Sequence, residues 1–379
     1  DMVSRGLGDV YKRQIIDKSN LLRPLSHVQS VVERRNTIPI LSNVVIKADE
    51  NHLFLSATDM DIDILEKFEC KVITPGSITV TAHILYDIVR KLTDGSEIVI
   101  ESNDGTASLS CNKSKFQLPI LPVEDYPTLS QGELPINFKL NVKGLCKLID
   151  TTKFAISMEE TRYYLNGIYL HKDDKKLISV ATDGHRLART SINLPSGADL
   201  INGSIIPRKA IYEIRKLIED YSDDEGVLVS LSETKIRVCV NDTTITSKLI
   251  DGNFPDYEKV IPKDNNNLIS LDCIKFSESV DRVSTIFSDK SKSVRMSLSE
   301  NKLTLEANSP DTGSAIEEIE LAYSNEEISI GFNSKYLLDV TSQVGSGILN
   351  MSLKDSGAPA LISIPDDPES LFVLMPMRV

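Results

Sequence analysis

The chain has 379 residues, 41% hydrophobic and 26% charged, with 42 Lys and Arg against 55 Asp and Glu, a net charge of 42 − 55 = −13. That composition is globular and excludes a disordered or collagen-like chain. No apolar run approaches the roughly 18 residues of a membrane-spanning helix, no export signal is read at the start, and five scattered cysteines without a CxxC pair point to a reducing cytoplasm with neither disulfide framework nor zinc site.

In chain order, residues 1–14 hold two glycines and several charges without an apolar period, and are set aside as a tail. An amphipathic helix is predicted over 21–32, an alternating strand over 53–59, a second helix over 82–92 and a short apolar strand over 116–118. Pro122, Pro127 and Pro135 punctuate a polar connector. The series then returns: helix 145–156, strand 177–183, helix 207–218, closing strand 247–250, and a boundary at Pro255 and Pro262. A third pass gives helices 276–287 and 333–344 and a strand over 372–375. Ala57 to Ala181 is 124 residues, His83 to Arg208 is 125, and Arg208 to Lys335 is 127. A period near 125 repeated three times implies three copies of one domain, at 15–132, 133–262 and 263–379. Turn signals such as Asp94-Gly95 favour antiparallel pairing, so each copy is expected to be α+β with both helices on one face of its sheets.

The common catalytic fingerprints are missing: no GxSxG, HExxH, GxxxxGK[ST] or strand-linked GxGxxG occurs. Asp59-Met60-Asp61-Ile62-Asp63 opens like a calcium loop, but Ile64 stands where that loop needs glycine, and the alternation reads as a strand with a wet face. Asp183 lies two residues from His185 and could orient it as a base, yet no nucleophile accompanies them; a turn or binding-site histidine is the expectation. No catalytic residue, metal or cofactor is expected. Positive charge instead recurs on the helical stretches, at Arg23, Arg34, Arg35, Arg90, Lys91, Lys147, Lys153, Arg208, Lys209, Arg215 and Lys216, while carboxylates gather at 59–69, 220–225 and 317–327. Solvated helix faces would explain each helix alone; repetition in corresponding places favours a shared cationic surface.

Read together, Arg162-Tyr163-Tyr164-Leu165-Asn166-Gly167, Ala181-Thr182-Asp183-Gly184-His185-Arg186-Leu187, Phe254-Pro255-Asp256-Tyr257 and the terminal Met375-Pro376-Met377-Arg378 resemble the bacterial sliding clamps, the beta subunits of DNA polymerase III, from about Ile15 to Val379. The resemblance implies three similar clamp domains per chain, helices lining the inside and antiparallel sheets outside, closing as a head-to-tail dimeric ring around double-stranded DNA. Such a ring is a processivity factor and not an enzyme. Polymerase subunits, the clamp loader and repair proteins would dock on it through short linear motifs. Twelve helices about 10 Å across, side by side, give a circumference of roughly 120 Å and an opening of order 28 Å. A duplex passes through without base readout, so contact is with phosphates and indifferent to sequence. The acidic exterior is no obstacle, because charges beyond the Debye length of about 8 Å are largely screened.

Site residues follow from the same resemblance. DNA contact is expected at Arg35, Tyr163 and Tyr164, with Arg208 and Lys209 as further candidates, while His83, Ile84 and Glu159 depart from the family and weaken the grip. The peptide pocket would use Leu165, Thr182, Gly184, His185, Arg186, Leu187, Pro255, Val260, Asn333, Tyr336, Val373, Met375, Pro376, Met377 and Arg378. Pliant methionines can repack around different anchors there, and His185, Asn333 and Arg378 offer orienting hydrogen bonds. The subunit interface would pair Lys113, Lys115, Phe116 and Leu118 with Ile286, Phe287, Glu317 and Glu318 of a second copy.

Overall fold

The computed structural model describes residues 12–34, 37–103, 105–128, 132–287 and 293–378; Arg35 and residues 1–11 lie outside them. The chain forms two compact units, residues 1–143 with 212–249, and residues 144–211 with 250–379. The division falls inside the middle copy of the repeat because that copy's strands join the sheets of its neighbours.

The first unit contains two antiparallel sheets. One has five strands in the order Lys71–Thr74, Lys12–Asp17, Glu97–Asn103, Thr106–Cys111 and Ser114–Pro119. The other has eight: Ile136–Asn141, Gly226–Leu231, Lys235–Val240, Thr243–Lys248, Ile62–Glu69, His52–Thr58, Asn43–Asp49 and Gly76–Thr81. The pairing of Thr243–Lys248 with Ile62–Glu69 is the seam between the first and second copies. Helix α1, Lys18–Val31, packs on α2, Ala82–Lys91, and on the strands Ile62–Glu69 and His52–Thr58. Leu21, Leu25 and Val28 of α1 are fully buried, the i, i+4, i+7 stripe of an amphipathic helix.

The second unit repeats the plan. Its eight-stranded sheet runs Ser204–Pro207, Gly167–Asp173, Lys176–Thr182, Arg186–Asn193, Asp367–Leu374, Ala360–Ile364, Ile348–Leu353 and Asn267–Asp272, with the seam between Arg186–Asn193 and Asp367–Leu374. A four-stranded sheet runs Gly313–Glu320, Lys302–Ser309, Ser293–Ser299 and Ile328–Asn333. The middle copy supplies α3, Val142–Asp150, and α4, Arg208–Ile218. The third supplies α5, Cys273–Ser284, which packs on α6, Ser334–Val344.

Three expectations change. Residues 12–14 are not tail: the strand Lys12–Asp17 sits inside the five-stranded sheet, with Arg13 opposite Glu101. Helices α1, α3 and α5 begin three residues earlier than their apolar periods. Asp17 caps α1 by accepting the Ser19 N–H at 2.8 Å, Asp272 caps α5 by accepting the Lys275 N–H at 3.0 Å, and these capped first turns carry little apolar signal. Helix α3 also stops early, at Asp150, where the Thr152 hydroxyl donates to the Leu148 carbonyl at 2.8 Å and the chain continues as a short 3₁₀ turn, Lys153–Ala155. Finally, Asp59 to Asp61 form a turn and not a strand. Asp59 Oδ1 accepts from the Asp61 and Ile62 amides at 2.9 and 2.7 Å, and Met60 takes φ +79°. Among the described residues no cluster of His, Cys, Asp and Glu could hold a metal, and no helix is long and apolar enough to cross a membrane.

Candidate functional site

The segment Thr182–Leu187 folds as the same turn found at Thr58–Ile62. Thr182 Oγ1 donates to the Arg186 carbonyl at 2.6 Å and accepts the Gly184 N–H at 3.1 Å; Asp183 Oδ1 accepts the His185 and Arg186 amides at 2.9 and 3.0 Å. Gly184 sits at φ +88°, the left-handed region that Met60 occupies at φ +79° in the equivalent turn, and a Cβ there would lie 2.5 Å from the flexible end of Arg162, so glycine is favoured at this position. The Asp183 carboxylate thus holds backbone amides and, through Oδ2, Arg186 Nε at 3.0 Å. It does not orient the His185 imidazole, and the pair has no acid–base geometry.

This turn, the connector after the middle copy and the final strand enclose a cavity of about 210 Å³. It is walled by Leu165, Thr182, Gly184, Arg186, Leu187, Pro255, Val260, Val373 and Met375, nine of the residues anticipated, and by Tyr257, which was not. Tyr257 reaches the site because its hydroxyl lies 2.9 Å from His171 Nε2, while Tyr169 stacks on Phe254 with ring centroids 4.8 Å apart. Its place in Phe254-Pro255-Asp256-Tyr257 was the available signal. Burial raises the Tyr257 hydroxyl's pKa and lowers that of His171. The cavity is smaller than the about 300–1,000 Å³ of a small-molecule pocket, a size that suits one or two anchoring side chains. A wider groove of about 730 Å³ adjoins it, sharing Val260 and Met375 and continuing between 256–265 and Lys354, Ala358 and Pro359.

The remaining expected residues fall around the rim or into the frame. Arg186 is 8% exposed, and its guanidinium is committed: to Asp183, to Asp339, to the Phe154 carbonyl at 2.7 Å, and over the Tyr336 ring at 4.3 Å. It frames the cavity and is not an exposed recognition group. Asn333 is likewise occupied, accepting the Lys335 N–H as N-cap of α6. Met375 N–H donates to the His185 carbonyl and Met377 N–H to the Gly331 carbonyl, both at 2.8 Å, which pins Pro376 between them and leaves Arg378 exposed.

A second cluster forms around Tyr163 and Tyr164. These lie in a 3₁₀ segment, Glu160–Leu165, and their rings meet edge to face at 5.8 Å. Tyr163 is 54% exposed. Gly252 allows the close approach, since a Cβ there would meet Tyr164 Cβ at 3.1 Å. The Arg208 amide donates to the Asn166 carbonyl at 2.9 Å, which brings the first turn of α4, with Arg208 and Lys209, to this cluster, and the Arg208 guanidinium contacts Met158 Sδ. Glu159 neutralises Arg162 through contacts of 2.6 and 2.8 Å, and that hydrogen bond holds the Glu159 carboxyl below its usual range. His83 is spent on Gln29 and the Val32 carbonyl, at 2.8 and 3.0 Å, while Ile84 is exposed. Arg35 lies outside the described residues.

Each unit has an outer strand paired on one side only among the described residues. Ser114–Pro119 carries Lys115 exposed, Phe116 half-buried and Leu118 buried, with Lys113 exposed in the preceding turn. Gly313–Glu320 carries Glu317 and Glu318, and Ile286 and Phe287 are half-buried after α5. Both glutamates have partners within the chain: Glu317 takes Arg282 at 2.6 Å and Ser279 at 2.7 Å, and Glu318 takes Lys302 at 2.9 Å. Ile316, 66% exposed on that strand, was missed.

Three comparisons bear on these sites. Residues 13–130, 139–256 and 258–378 match, in turn, the N-terminal, central and C-terminal domains described as "DNA polymerase III beta subunit". The chain is 45% identical over 370 residues to the "Beta sliding clamp" of Caulobacter vibrioides, covering 96% of this chain and 99% of the relative, and 36% identical to that of Pseudomonas aeruginosa with the same coverage. The crystal structure of a "DnaN sliding clamp (DNA polymerase III subunit beta) from Bartonella birtlesii bound to griselimycin" superposes with a TM-score of 0.95 at 46% identity, over 98% of this chain and all of that one.

Proposed function

The chain belongs to the DNA polymerase III beta subunit family, the bacterial sliding clamps, and from that premise we propose how its residues are used. It is a non-catalytic processivity factor: a homodimeric ring encircles duplex DNA and tethers the replicative polymerase. We take the three domains as 12–132, 133–262 and 263–379, moving the first boundary outward to include the strand Lys12–Asp17, and place the protein in the cytoplasm, where replication occurs.

The sheet pattern supports closure. At both seams within the chain, four strands of one copy continue four of the next into an eight-stranded sheet. The outer sheets, of five and four strands, end at the singly paired strands Ser114–Pro119 and Gly313–Glu320. Joining these edges between two chains repeats the internal seam, satisfies the open backbone groups, and covers Phe116, Leu118, Ile286, Phe287 and Ile316. Lys113 and Lys115 then approach Glu317 and Glu318, whose in-chain partners leave them a steering role.

Within the ring, Arg35, Tyr163, Tyr164, Arg208 and Lys209 contact phosphates, and enclosure supplies retention. The cavity with Leu187, Val373 and Met375 receives an apolar anchor of a partner's linear motif, and Pro376, Met377 and Arg378 line its exit. The single observation that carries the reading is the threefold family match over almost the whole chain, copy by copy. The test is topological. Loaded onto nicked circular DNA by a clamp loader, the protein stays bound until the circle is linearised and then leaves by the ends; persistence on linear DNA with free ends overturns the reading.

A further inference from the structure

One wall of the apolar cavity is held from behind by a stack of rings. On the strand Gly167–Asp173, Tyr169 and His171 are two residues apart and face the same side of the sheet. Tyr169 lies flat on Phe254, with 4.8 Å between centroids and 5° between planes, and stacks on His171 at 4.9 Å. His171 in turn meets the Tyr257 ring at 5.7 Å. Two strand residues thus clasp both ends of Phe254-Pro255-Asp256-Tyr257, the segment whose Pro255 and Tyr257 wall the cavity. Gly203, at φ +117°, leaves room for the Tyr169 hydroxyl. Tyr257 is 5% exposed and packs with Ile178, Val180, Leu187 and Val373, an apolar cluster in which a hydroxyl needs a partner.

We propose that His171 is a positioning residue of this cavity: as a neutral imidazole it accepts the Tyr257 hydroxyl proton and fixes that ring as cavity wall, and its protonation undoes the lock and weakens partner binding. The inference rests on the reading of the cavity as the seat of a partner's linear motif. The tautomer follows from the neighbours. His171 Nδ1 lies 3.2 Å from the Lys172 carbonyl, which only accepts, so Nδ1 carries the hydrogen and Nε2, 2.9 Å from the Tyr257 hydroxyl, presents its lone pair. Arg189 reaches the same hydroxyl, and a guanidinium only donates. The hydroxyl accepts from Arg189 and has one proton to give, which His171 takes. Once Nε2 gains a hydrogen, it and Arg189 both donate toward one oxygen, and the hydroxyl proton must turn into the apolar cluster. Burial is the largest influence on His171 and opposes the imidazolium, as Arg189 does, against the Lys172 carbonyl, Asp173 and Glu258, so the ring charges only below its ordinary range.

The test measures binding of the full-length protein to the cognate replicative polymerase subunit, immobilised for surface plasmon resonance, from pH 8 to pH 5. At pH 7.5 His171→Phe, which keeps the ring stack and removes the acceptor, binds about tenfold more weakly, the loss of roughly one well-placed hydrogen bond. His171→Gln, whose side-chain carbonyl stands near the place of Nε2 and takes no proton, binds more tightly than His171→Phe. The affinity of the parent relative to His171→Gln is flat above about pH 7 and falls about threefold by pH 5, a ratio that cancels any titration of the polymerase. Tyr257→Phe removes the same pH dependence, and the parent-to-Tyr257→Phe ratio decides the matter if a His171 variant does not fold. Leu187→Asp reports on the cavity separately. If it leaves polymerase binding unchanged, the cavity reading falls and the positioning role with it. If Leu187→Asp abolishes binding while His171→Phe matches the parent, or while these ratios stay flat to pH 5, the positioning role alone is overturned.

Discussion

Arg186 shows how a side chain can be placed at a site from sequence while the partners that hold it stay hidden. Its neighbours in the sequence marked it as a pocket residue, and it does wall the cavity. Its guanidinium, however, is consumed by Asp339 and the Phe154 carbonyl, 153 and 32 residues away, which no local pattern discloses. Arg186→Met leaves Asp183 and Asp339 beside an uncompensated buried site and should cost about 3–5 kcal/mol, read as a lowered urea midpoint. Gly184→Ala, at φ +88°, should cost about 1 kcal/mol or more and weaken peptide binding through the displaced turn. A third change reports on pH. Hydrogen bonds from Lys176 and then Ser191 hold the Glu369 carboxyl below its usual range. A carboxyl lowered by folding stabilises the fold above its unfolded value and loses that contribution as pH falls through the folded one. The Tm gap between the parent protein and Glu369→Gln should therefore be constant above about pH 5 and close below about pH 4.

At the scale of elements, the six α-helices of the described residues lie where an apolar period of 3.6 announced them, because that period records burial against a sheet. The starts of α1, α3 and α5 lie three residues ahead of their apolar periods; in α1 and α5 an aspartate cap fixes the first turn, a hydrogen bond that leaves no apolar trace. The strand Gly313–Glu320 was anticipated only through its glutamates. Exposed Ile316 on its open edge is the stronger sign of a covered surface. Placing charge in the apolar part of that junction should split the dimer: Phe116→Asp should bring the light-scattering mass from twice 42.0 kDa down to 42.0 kDa at micromolar concentration. An unchanged mass would mean that Phe116 is not in the interface.

For the molecule as a whole, a ring that holds DNA by enclosure separates two responses that an adhesive binder would couple. Retention on a closed circle should change little between 50 and 200 mM salt, roughly the range over which a protein making several phosphate contacts loses orders of magnitude in affinity. Binding to short linear duplex should be weak and fall steeply over the same range, as gel-filtration recovery and fluorescence anisotropy would register. Three copies of one α+β module and their helices could be recognised from residue order alone, because periods of 2 and 3.6 and a spacing near 125 are local properties of a chain; the residues of the apolar cavity were named through the family resemblance that short contiguous motifs carry. Tertiary structure decided what joins those modules. Asp63 pairs with Thr246 at a separation of 183 residues and Leu187 with Val373 at 186, so the shared sheets and the commitment of Arg186 exist only once distant strands exchange hydrogen bonds.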